Sequence, residues 1–257
     1  MTPLPPEFFA RPLAHRTLHD ARAGRPENSL AGARAAVLAG YGIEVDLQLS
    51  QDGVPMVFHD YVLNRLTPEI GDLNYRTAAE LQDIRLTWGT EVIPTLADLL
   101  HVVNGRVPLL LEMKDQDGAL GTSESGMEEA VCKLLENYDG AAALMSFNPH
   151  MVARCADFAP NIPRGLVTDA FTEIDWPDVP ATRREELADI PDFDRVGASF
   201  ISHHVGDLDA PAVARVANRG GQVLCWTVRS EAQERVARKT VQNITFERYL
   251  AQIPPQP

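Results

Sequence analysis

Short apolar runs alternate with amphipathic segments along nearly the whole chain. The apolar runs predict eight β-strands, and the segments between them carry apolar residues at helical spacing. The predicted strands are residues 12–16, 42–49, 107–114, 141–147, 162–167, 195–200, 221–228 and 242–246. The predicted helices are residues 28–39, 124–137, 149–158, 182–189, 209–219 and 230–239.

Eight strands alternating with helices over 257 residues predict an α/β fold, a (β/α)8 TIM barrel formed by a single domain over residues 1–257. The run LLLEMK supports a parallel sheet, because strands covered on both faces are continuously apolar. An open doubly wound sheet is the alternative, although the chain has no glycine-rich GxGxxG fingerprint to support it.

Residues 59–106 interrupt this alternation. The segment is too long for a simple loop between a strand and a helix, and it contains two helix-like pieces, at 77–84 and 95–103. We therefore predict a small insertion after the second strand, on the barrel face formed by the C-terminal ends of the strands.

The charge balance limits the classes of partner. The chain carries 23 Lys and Arg residues against 36 Asp and Glu residues, a formal net charge of −13. Such a charge disfavours nucleic acids and anionic membrane surfaces. A phosphate-bearing small molecule would need local positive charge, from a metal ion or from a few placed basic residues.

Three widely spaced cysteines form neither a disulfide framework nor a zinc-binding pattern, so a reducing compartment is expected. The stretch MTPLPPEFFARPLAHRT lacks the basic start and apolar core of a secretion signal. No run approaches the roughly 18 apolar residues of a membrane-spanning helix. These features predict a cytoplasmic protein without stable membrane anchoring, and they leave the oligomeric state open.

Two acidic residues on a predicted strand are the first candidates for chemistry. In the stretch EVDLQLSQDGVPMVFHD, Asp52-Gly53 predicts a two-residue hairpin turn, which would place Asp46 opposite His59. Glu44 shares that face with Asp46, because side chains alternate along a strand. Two carboxylates and an imidazole would then converge.

Glu112, at the end of the third predicted strand, adds a third carboxylate. In a TIM barrel the active site lies at the C-terminal ends of the strands, where these residues fall. Three carboxylates without a thiolate suit a hard divalent cation, Mg²⁺ or Ca²⁺, better than zinc. We therefore predict one divalent cation bound by Glu44, Asp46 and Glu112.

Basic side chains accompany the predicted carboxylates. His15 and His59 suit proton transfer, because imidazole titrates near neutral pH. Arg16 and Lys114, each at the end of a predicted strand, would donate hydrogen bonds to phosphoryl oxygens. Taken singly, each residue is more simply structural or solvated, so the prediction depends on the joint pattern. By the same reasoning, Asn28 most simply caps the first helix.

Five stretches together resemble the glycerophosphodiester phosphodiesterase family. They are AHR at 14–16, PENS at 26–29, GIEVDLQLSQDGVPMVFHD at 42–60, LLLEMK at 109–114 and CWTV at 225–228. The ordered series is far more specific than any single motif, and the resemblance extends over residues 14–246.

The resemblance implies a TIM barrel with a small insertion after the second strand. It also implies a site with one divalent cation, two proton-transferring histidines and groups that bind the substrate. The implied residues are Glu44, Asp46, Glu112 and, as a further candidate, Glu27 for the metal; His15 and His59 as general acid and base; and Arg16, Lys114 and Trp226 for the substrate.

Three positions depart from the family pattern. The family usually has Gly after His-Arg, where this chain has Thr17. Its usual Asn after Trp-Thr-Val is here Arg229, and the familiar Thr-Asp near the last strand appears as TFE at 245–247. The predicted metal ligands and both histidines are retained, so these departures bear on substrate choice more than on chemistry.

The leading hypothesis is metal-dependent hydrolysis of glycerophosphodiesters, such as glycerophosphocholine or glycerophosphoethanolamine, to sn-glycerol 3-phosphate and an alcohol. A first alternative is lysophospholipase D-like cleavage of lysophospholipids, which needs an apolar entry for an acyl chain. A second is a non-catalytic phosphodiester-binding barrel. The sequence leaves open which histidine donates the proton and which accepts it.

Overall fold

The computed structural model describes residues 1–116, 118–122 and 124–254. Within these residues, eight parallel strands close into a barrel, because the first strand pairs with both the second and the last. The barrel strands are β1 (Leu13–Ala14), β2 (Gly42–Leu49), β4 (Leu109–Met113), β5 (Ala142–Ser146), β6 (Arg164–Thr168), β7 (Phe200–His204), β8 (Gln222–Val228) and β9 (Asn243–Phe246). The predicted TIM-barrel fold is confirmed. A short strand, β3 (Pro55–Val57), pairs antiparallel to β2.

The helices begin where the local sequence provides caps. Ser29 accepts a hydrogen bond from Gly32 N at the start of the first barrel helix, and Asn148 precedes Pro149 at the start of another. The α-helices are α1 (Glu7–Ala10), α2 (Leu30–Ala39), α3 (Ala78–Gln82), α4 (Leu96–Val103), α5 (Met127–Leu135), α6 (Pro149–Phe158), α7 (Ala181–Ala188), α8 (Pro211–Asn218) and α9 (Glu231–Ala237).

Alternation along the strands sorts side chains between two cores. On β2, Ile43, Val45 and Leu47 are fully buried in the main core, which lies between the barrel and its helices. The intervening Glu44 and Asp46 belong to the opposite, inward face. Strand alternation therefore directs these two carboxylates into the barrel.

The N-terminal end of the barrel is closed by its own apolar cluster. Phe8 on α1 and Leu4 pack against inward side chains that include Leu13 and Phe200. Asn243 Nδ2 holds this segment by donating to backbone carbonyl oxygens before β1. Among the described residues, a polar site therefore has room at the opposite end of the barrel.

The segment between β3 and β4 packs in two parts. A separate apolar cluster holds Met56, Phe58, Leu63, Leu66, Leu73, Ala78, Leu81, Ile84, Leu86 and Ile93. The side chains of α4, in contrast, join the main core, where α4 packs beside α2. The limits of the insertion at residues 59 and 106 stay a prediction. The side chains of the separate cluster, which extends to Ile93, pack with one another and not in the main core.

The predicted strand at 195–200 is misplaced. Strand β7 begins only at Phe200, and the residues before it form turns in which Ala198 N donates to Phe193 O at 3.1 Å. Gly197 has a φ of +62°, a left-handed conformation that ends the turn and cannot belong to a strand. Val196 is buried by the main core despite lying in a turn, so its apolar character misled the strand prediction.

The register of the β2–β3 hairpin differs by one residue from the prediction. Leu47 pairs with Val57, and Ser50 N donates to Val54 O at 3.0 Å, which leaves a three-residue loop. Gly53 ends that loop with a φ of +79°. A glycine in the left-handed conformation is typical of three-residue hairpin loops, so the same Asp-Gly pair serves a longer turn than predicted.

The change of register removes the predicted pairing of Asp46 with His59. Phe58 is the residue opposite Asp46, and its N–H donates to Asp46 O at 3.0 Å. His59 follows the end of the hairpin, where the chain leaves the ladder.

No helix among the described residues is long and apolar enough to cross a membrane. The predicted cytoplasmic location stays a prediction.

Candidate active site

Three carboxylates meet at the C-terminal end of the barrel. Glu44 and Asp46 point inward from β2, and Glu112 on β4 is the direct strand neighbour of Asp46. All three are buried, and one ligand oxygen from each lies within 4.8 Å of the others. Parallel register and strand alternation together create this cluster, as the sequence predicts.

The carboxylates of the cluster differ in how tightly they bind a proton. Burial raises the pKa of Glu44 well above its usual range, and the neighbouring charges of Asp46 and Glu112 add to that effect. Burial also opposes ionisation of Asp46, but the Lys114 ammonium and nearby cationic groups hold the pKa of Asp46 well below its usual range. Carboxylate oxygens are hard ligands, so these residues fit a divalent cation of the Mg²⁺ or Ca²⁺ type.

Lys114 bridges two of the carboxylates. Its Nζ lies 2.8 Å from Asp46 Oδ1 and 2.5 Å from Glu112 Oε1. These ion pairs outweigh the effect of burial and raise the pKa of Lys114. The ammonium is therefore charged. It lies beside the metal-ligand candidates, which is the position needed for the predicted contact with a phosphate.

Asn28 orients one carboxylate and does not cap the helix, so that prediction is wrong. Its Nδ2 donates to Asp46 Oδ2 at 2.9 Å, and Asp46 N donates to Asn28 Oδ1 at 3.3 Å. Ser29, one residue later, provides the cap. Asn28 has a φ of +56°, a conformation that asparagine tolerates better than most residues.

His15 is held by a carboxylate that sequence reasoning did not assign. Its Nδ1 lies 2.7 Å from Glu247 Oε2, and its Nε2 faces Glu44 Oε2 at 4.0 Å. When Nδ1 donates to Glu247, Nε2 is left to exchange a proton on the cluster side. Burial lowers the pKa of His15, although the hydrogen bond to Glu247 opposes this effect. The lowered pKa favours the neutral ring.

Glu247 belongs to one departure from the family pattern and contacts another, Arg229. Arg229 Nε donates to Glu247 Oε1 at 2.6 Å, and His19 Nε2 lies 3.6 Å from the other carboxylate oxygen. Burial favours protonation of Glu247, but the hydrogen bonds from His15 and Arg229 and the nearby His19 hold its pKa far below the usual range. The carboxylate is therefore ionised behind His15. The only sequence signal for it was the unusual TFE stretch.

His59 has a comparable partner next to it in sequence. Its Nδ1 lies 2.5 Å from Asp60 Oδ1, and Arg65 Nε donates to Asp60 Oδ2 at 2.7 Å. These bonds outweigh burial and lower the pKa of Asp60. Although the hairpin register was wrongly predicted, His59 still reaches the cavity that contains Asp46.

Glu27, the further metal-ligand candidate, is bound by two guanidinium groups. Arg16 Nη1 donates to Glu27 Oε1 at 2.9 Å, and Arg65 donates to both carboxylate oxygens. Glu27 does not belong to the convergent carboxylates found among the described residues. Arg16 instead reaches the cluster: its backbone N–H donates to Glu44 Oε2 at 3.0 Å, and its side-chain Nε lies 3.3 Å from Asp46 Oδ2.

Thr17 occupies the position where the family usually has Gly. It has a φ of +72° and is 1% exposed. A Cβ added at Gly32 on α2 would lie only 2.1 Å from Thr17 Oγ1. The absence of a side chain at Gly32 therefore makes room for the unusual threonine.

The candidate residues surround one cavity of about 900 Å³. On one side lie the carboxylate cluster, both histidines, Arg16 and Lys114. The other side includes Phe147, Asp169, Asp175, Trp176, Asp207 and Trp226. Trp226 is partly buried, and its Nε1 donates to Ser202 O at 3.0 Å, so it lines the cavity and is not only a core residue. Apart from Glu27, the structure brings all the sequence-predicted site residues together.

Comparison with known proteins identifies one family. The model of the "Glycerophosphoryl diester phosphodiesterase family" matches residues 15–245. A Bacillus subtilis (strain 168) protein, provisionally named a glycerophosphodiester phosphodiesterase, is 27% identical over 228 residues, covering 85% of this chain and 86% of that protein. A glycerophosphodiester phosphodiesterase of Caldanaerobacter subterraneus subsp. tengcongensis is 30% identical over 151 residues, covering 55% of this chain and 61% of that protein.

Solved structures share the barrel. An Oleispira antarctica phosphodiesterase, in complex with the product sn-glycerol-3-phosphate, has a TM-score of 0.72 and 24% identity, covering 92% of each chain. A glycerophosphodiester phosphodiesterase from Agrobacterium tumefaciens str. C58 has a TM-score of 0.67 and 21% identity, covering 96% of this chain and 97% of that one. At these identities the likeness concerns the fold.

Proposed function

Because the chain belongs to the glycerophosphoryl diester phosphodiesterase family and is an enzyme of that class, we propose that it hydrolyses glycerophosphodiesters with the help of one divalent cation. The substrates we propose are compounds such as glycerophosphocholine or glycerophosphoethanolamine, and the products are sn-glycerol 3-phosphate and an alcohol. The observation that carries the proposal is the meeting of three carboxylates and two histidines in one cavity. The product bound by the Oleispira antarctica enzyme agrees with it.

The cation would be held by Glu44, Asp46 and Glu112. When bound, it would draw in phosphoryl oxygens and make the phosphorus more susceptible to attack. Asn28 orients Asp46 for this purpose through its hydrogen bond to Oδ2. The choice between Mg²⁺ and Ca²⁺ is left to a metal titration.

The remaining residues bind the phosphate and move protons. Arg16 and Lys114 carry fixed positive charge next to the cluster and would donate to the phosphoryl oxygens. His15 and His59 would share the proton transfers, one accepting from the attacking water or substrate glycerol hydroxyl and the other donating to the leaving alcohol. If the glycerol hydroxyl attacks, the first product would be a cyclic phosphate, which water would then open to sn-glycerol 3-phosphate. Glu247 and Asp60 fix the orientation of the two rings by binding their Nδ1 atoms.

The test is an assay of the purified protein with glycerophosphocholine and added Mg²⁺ or Ca²⁺. We expect EDTA to abolish activity and His15→Ala to lower kcat by about 10²- to 10⁴-fold, the usual contribution of general acid–base catalysis. His101→Ala, an exposed histidine on α4, is the matched control. Full activity in saturating EDTA, or in His15→Ala, would end the proposal.

The apolar residues of the cavity keep lysophospholipase D-like cleavage as a second candidate. Faster hydrolysis of lysophosphatidylcholine than of glycerophosphocholine would favour it. A protein that binds metal and glycerophosphocholine without cleaving any phosphodiester would instead be a non-catalytic barrel.

A further inference from the structure

The cavity has a second wall that the proposed chemistry does not use. The metal-ligand candidates and the histidines come from β1, β2, β4 and the hairpin, which form one half of the barrel mouth. Facing residues follow the ends of β5, β6 and β7 or lie on β8. We call these the aromatic–acidic wall: Phe147, Trp176, Trp226, Asp169, Asp175 and Asp207.

The three rings of this wall are held in fixed orientations. Phe147 packs edge-on against Trp176 and Trp226, with ring centroids 4.8 Å and 5.6 Å apart. Each indole N–H is bound as well, Trp176 Nε1 to Asp169 Oδ2 at 3.0 Å and Trp226 Nε1 to Ser202 O at 3.0 Å. Ring faces fixed in this way offer a preorganised surface to a ligand, and aromatic faces attract cations.

Among the described residues, Lys and Arg do not neutralise the carboxylates of the wall, although His203 Nε2 lies 3.3 Å from Asp207 Oδ2. Within the described part of the chain, no Lys or Arg lies within 4.0 Å of Asp169, Asp175 or Asp207 in an ion pair, in contrast to the ion-paired carboxylates across the cavity. Burial raises the pKa of Asp169, although the hydrogen bonds from Trp176 and the Phe171 backbone and the nearby His204 oppose this effect. The charge of Asp175 makes a smaller contribution in the same direction as burial. A positive group at this wall would relieve the repulsion.

A buried hydroxyl group, that of Thr245, also lines the cavity. Thr245 at the end of β9 lines the cavity and is 1% exposed, and its Oγ1 has no hydrogen-bond partner among the described residues. A buried hydroxyl without a partner costs free energy, so its position in the cavity indicates that a bound molecule satisfies it. This observation is independent of the wall and indicates a ligand in the same cavity.

We propose that the aromatic–acidic wall binds the cationic group of the substrate's alcohol, an ammonium or a quaternary ammonium. The proposal rests on the function proposed above and assigns residues to the alcohol of its substrates. With the phosphate held by Arg16 and Lys114, one ester substituent extends across the cavity towards the wall. Glycerol is neutral and would leave the wall's charge unrelieved, and an acyl chain would strip water from its carboxylates, so a cationic alcohol fits best.

The test compares glycerophosphocholine with glycerophosphoglycerol, whose alcohol is neutral. In the wild-type enzyme we expect kcat/KM for glycerophosphocholine to be about 10-fold higher, as a cation–π contact with nearby charge would give. In the double variant Asp175→Asn/Asp207→Asn the ratio should fall towards one. Asp209→Asn, an exposed aspartate outside the wall, is the matched control and should keep the ratio.

Two results would overturn the inference while leaving the proposed function intact. One is equal cleavage of both substrates by the wild-type enzyme. The other is an equal loss with both substrates in the double variant, which would assign the wall to glycerol. Faster cleavage of lysophosphatidylcholine than of glycerophosphocholine, unchanged in the double variant, would favour the second candidate function and would also contradict the inference.

Choline alone separates the two proposals. We expect it to quench the fluorescence of Trp176 and Trp226 in the wild-type enzyme, and this response should be lost in Asp175→Asn/Asp207→Asn. If no phosphodiester is cleaved, the proposed function fails, whereas that choline response would still support the wall. A choline response that is absent in the wild-type enzyme, or unchanged in the double variant, would count against it. Circular dichroism of the variant confirms that it is folded.

Discussion

His15 Nδ1 lies 2.7 Å from Glu247 Oε2, so a carboxylate 232 positions away in the sequence fixes the ring of the first candidate catalytic residue. In Glu247→Gln the hydrogen-bond geometry can persist, but the amide can present N–H to the ring and favour the wrong tautomer. We expect kcat to fall by about 10²-fold with little change in KM, because the residue acts through His15 and not on the substrate.

Steady-state kinetics of Glu247→Gln and Glu247→Asp test this role. Partial rescue of kcat by the shorter carboxylate in Glu247→Asp is expected. Glu231→Gln, an exposed residue at the start of α9, serves as the control. A rise in KM alone would show that Glu247 contributes to substrate binding.

Asn28 and Ser29 are neighbours with separate tasks, which makes them a matched pair. Asn28→Ala removes the hydrogen bond to Asp46 Oδ2 and should weaken the affinity for Mg²⁺ or Ca²⁺ by about 10- to 100-fold. Ser29→Ala removes the cap of α2 and should lower the free energy of unfolding by about 1 kcal/mol without weakening metal binding. Calorimetric metal titration and urea denaturation measure the two effects. The assignment fails if both variants bind metal as the wild type does.

Thr17 and Gly32 should be strongly coupled. Gly32→Ala alone would force a Cβ into Thr17 Oγ1 and should lower the free energy of unfolding by about 1–3 kcal/mol. With Thr17→Gly present, the same substitution meets no obstacle and should become neutral or stabilising, because alanine favours a helix by about 1 kcal/mol over glycine. A double-mutant cycle by urea denaturation measures the coupling. Simple additivity would contradict it.

Glu128, on α5, should destabilise the protein at neutral pH. Its side chain is fully buried, and neither carboxylate oxygen has a hydrogen-bond partner within the described residues. Burial raises its pKa against the weaker effect of Arg154, whose Nε lies 3.8 Å from Oε1. The folded state therefore binds the proton more tightly than the unfolded state. Stability is lost as pH rises from the ordinary glutamate range through the folded pKa.

Glu128→Gln removes this penalty. We expect a gain of about 1 kcal/mol in unfolding free energy at pH 7.5 that disappears near pH 4. Glu129→Gln, the exposed neighbour in the same helical turn, controls for the effect of charge at a helix start. Denaturation at several pH values gives the comparison, and a gain that does not depend on pH would contradict the explanation.

The barrel and the metal-ligand candidates were predictable because they follow from local periodicity. Alternation places Glu44 and Asp46 on one face, and parallel pairing then brings Glu112 beside them. The hairpin register was not predictable from Asp52-Gly53, since that pair suits loops of two or three residues. His59 reaches the cavity regardless, because it lies beyond the end of the paired strands.

The residues that sequence reasoning missed act through contacts between distant parts of the chain. Glu247 meets His15 across 232 positions, and Arg65 joins Glu27 across 38. No periodicity or local motif encodes such pairs in one sequence. Asn28 was misassigned for a related reason, since its position before a helix is equally typical of a cap.

The apolar cluster that α1 and Leu4 form at the N-terminal end of the barrel determines how many amino-terminal residues can be removed. Met1 is largely exposed, so a tag fused there would extend into solvent. Deletion beyond Leu4, however, would let water reach the underside of the inward side chains that support the ligands above. Truncation of the first eight residues should therefore weaken the binding of Mg²⁺ or Ca²⁺ in a calorimetric titration, although it removes none of the candidate ligands.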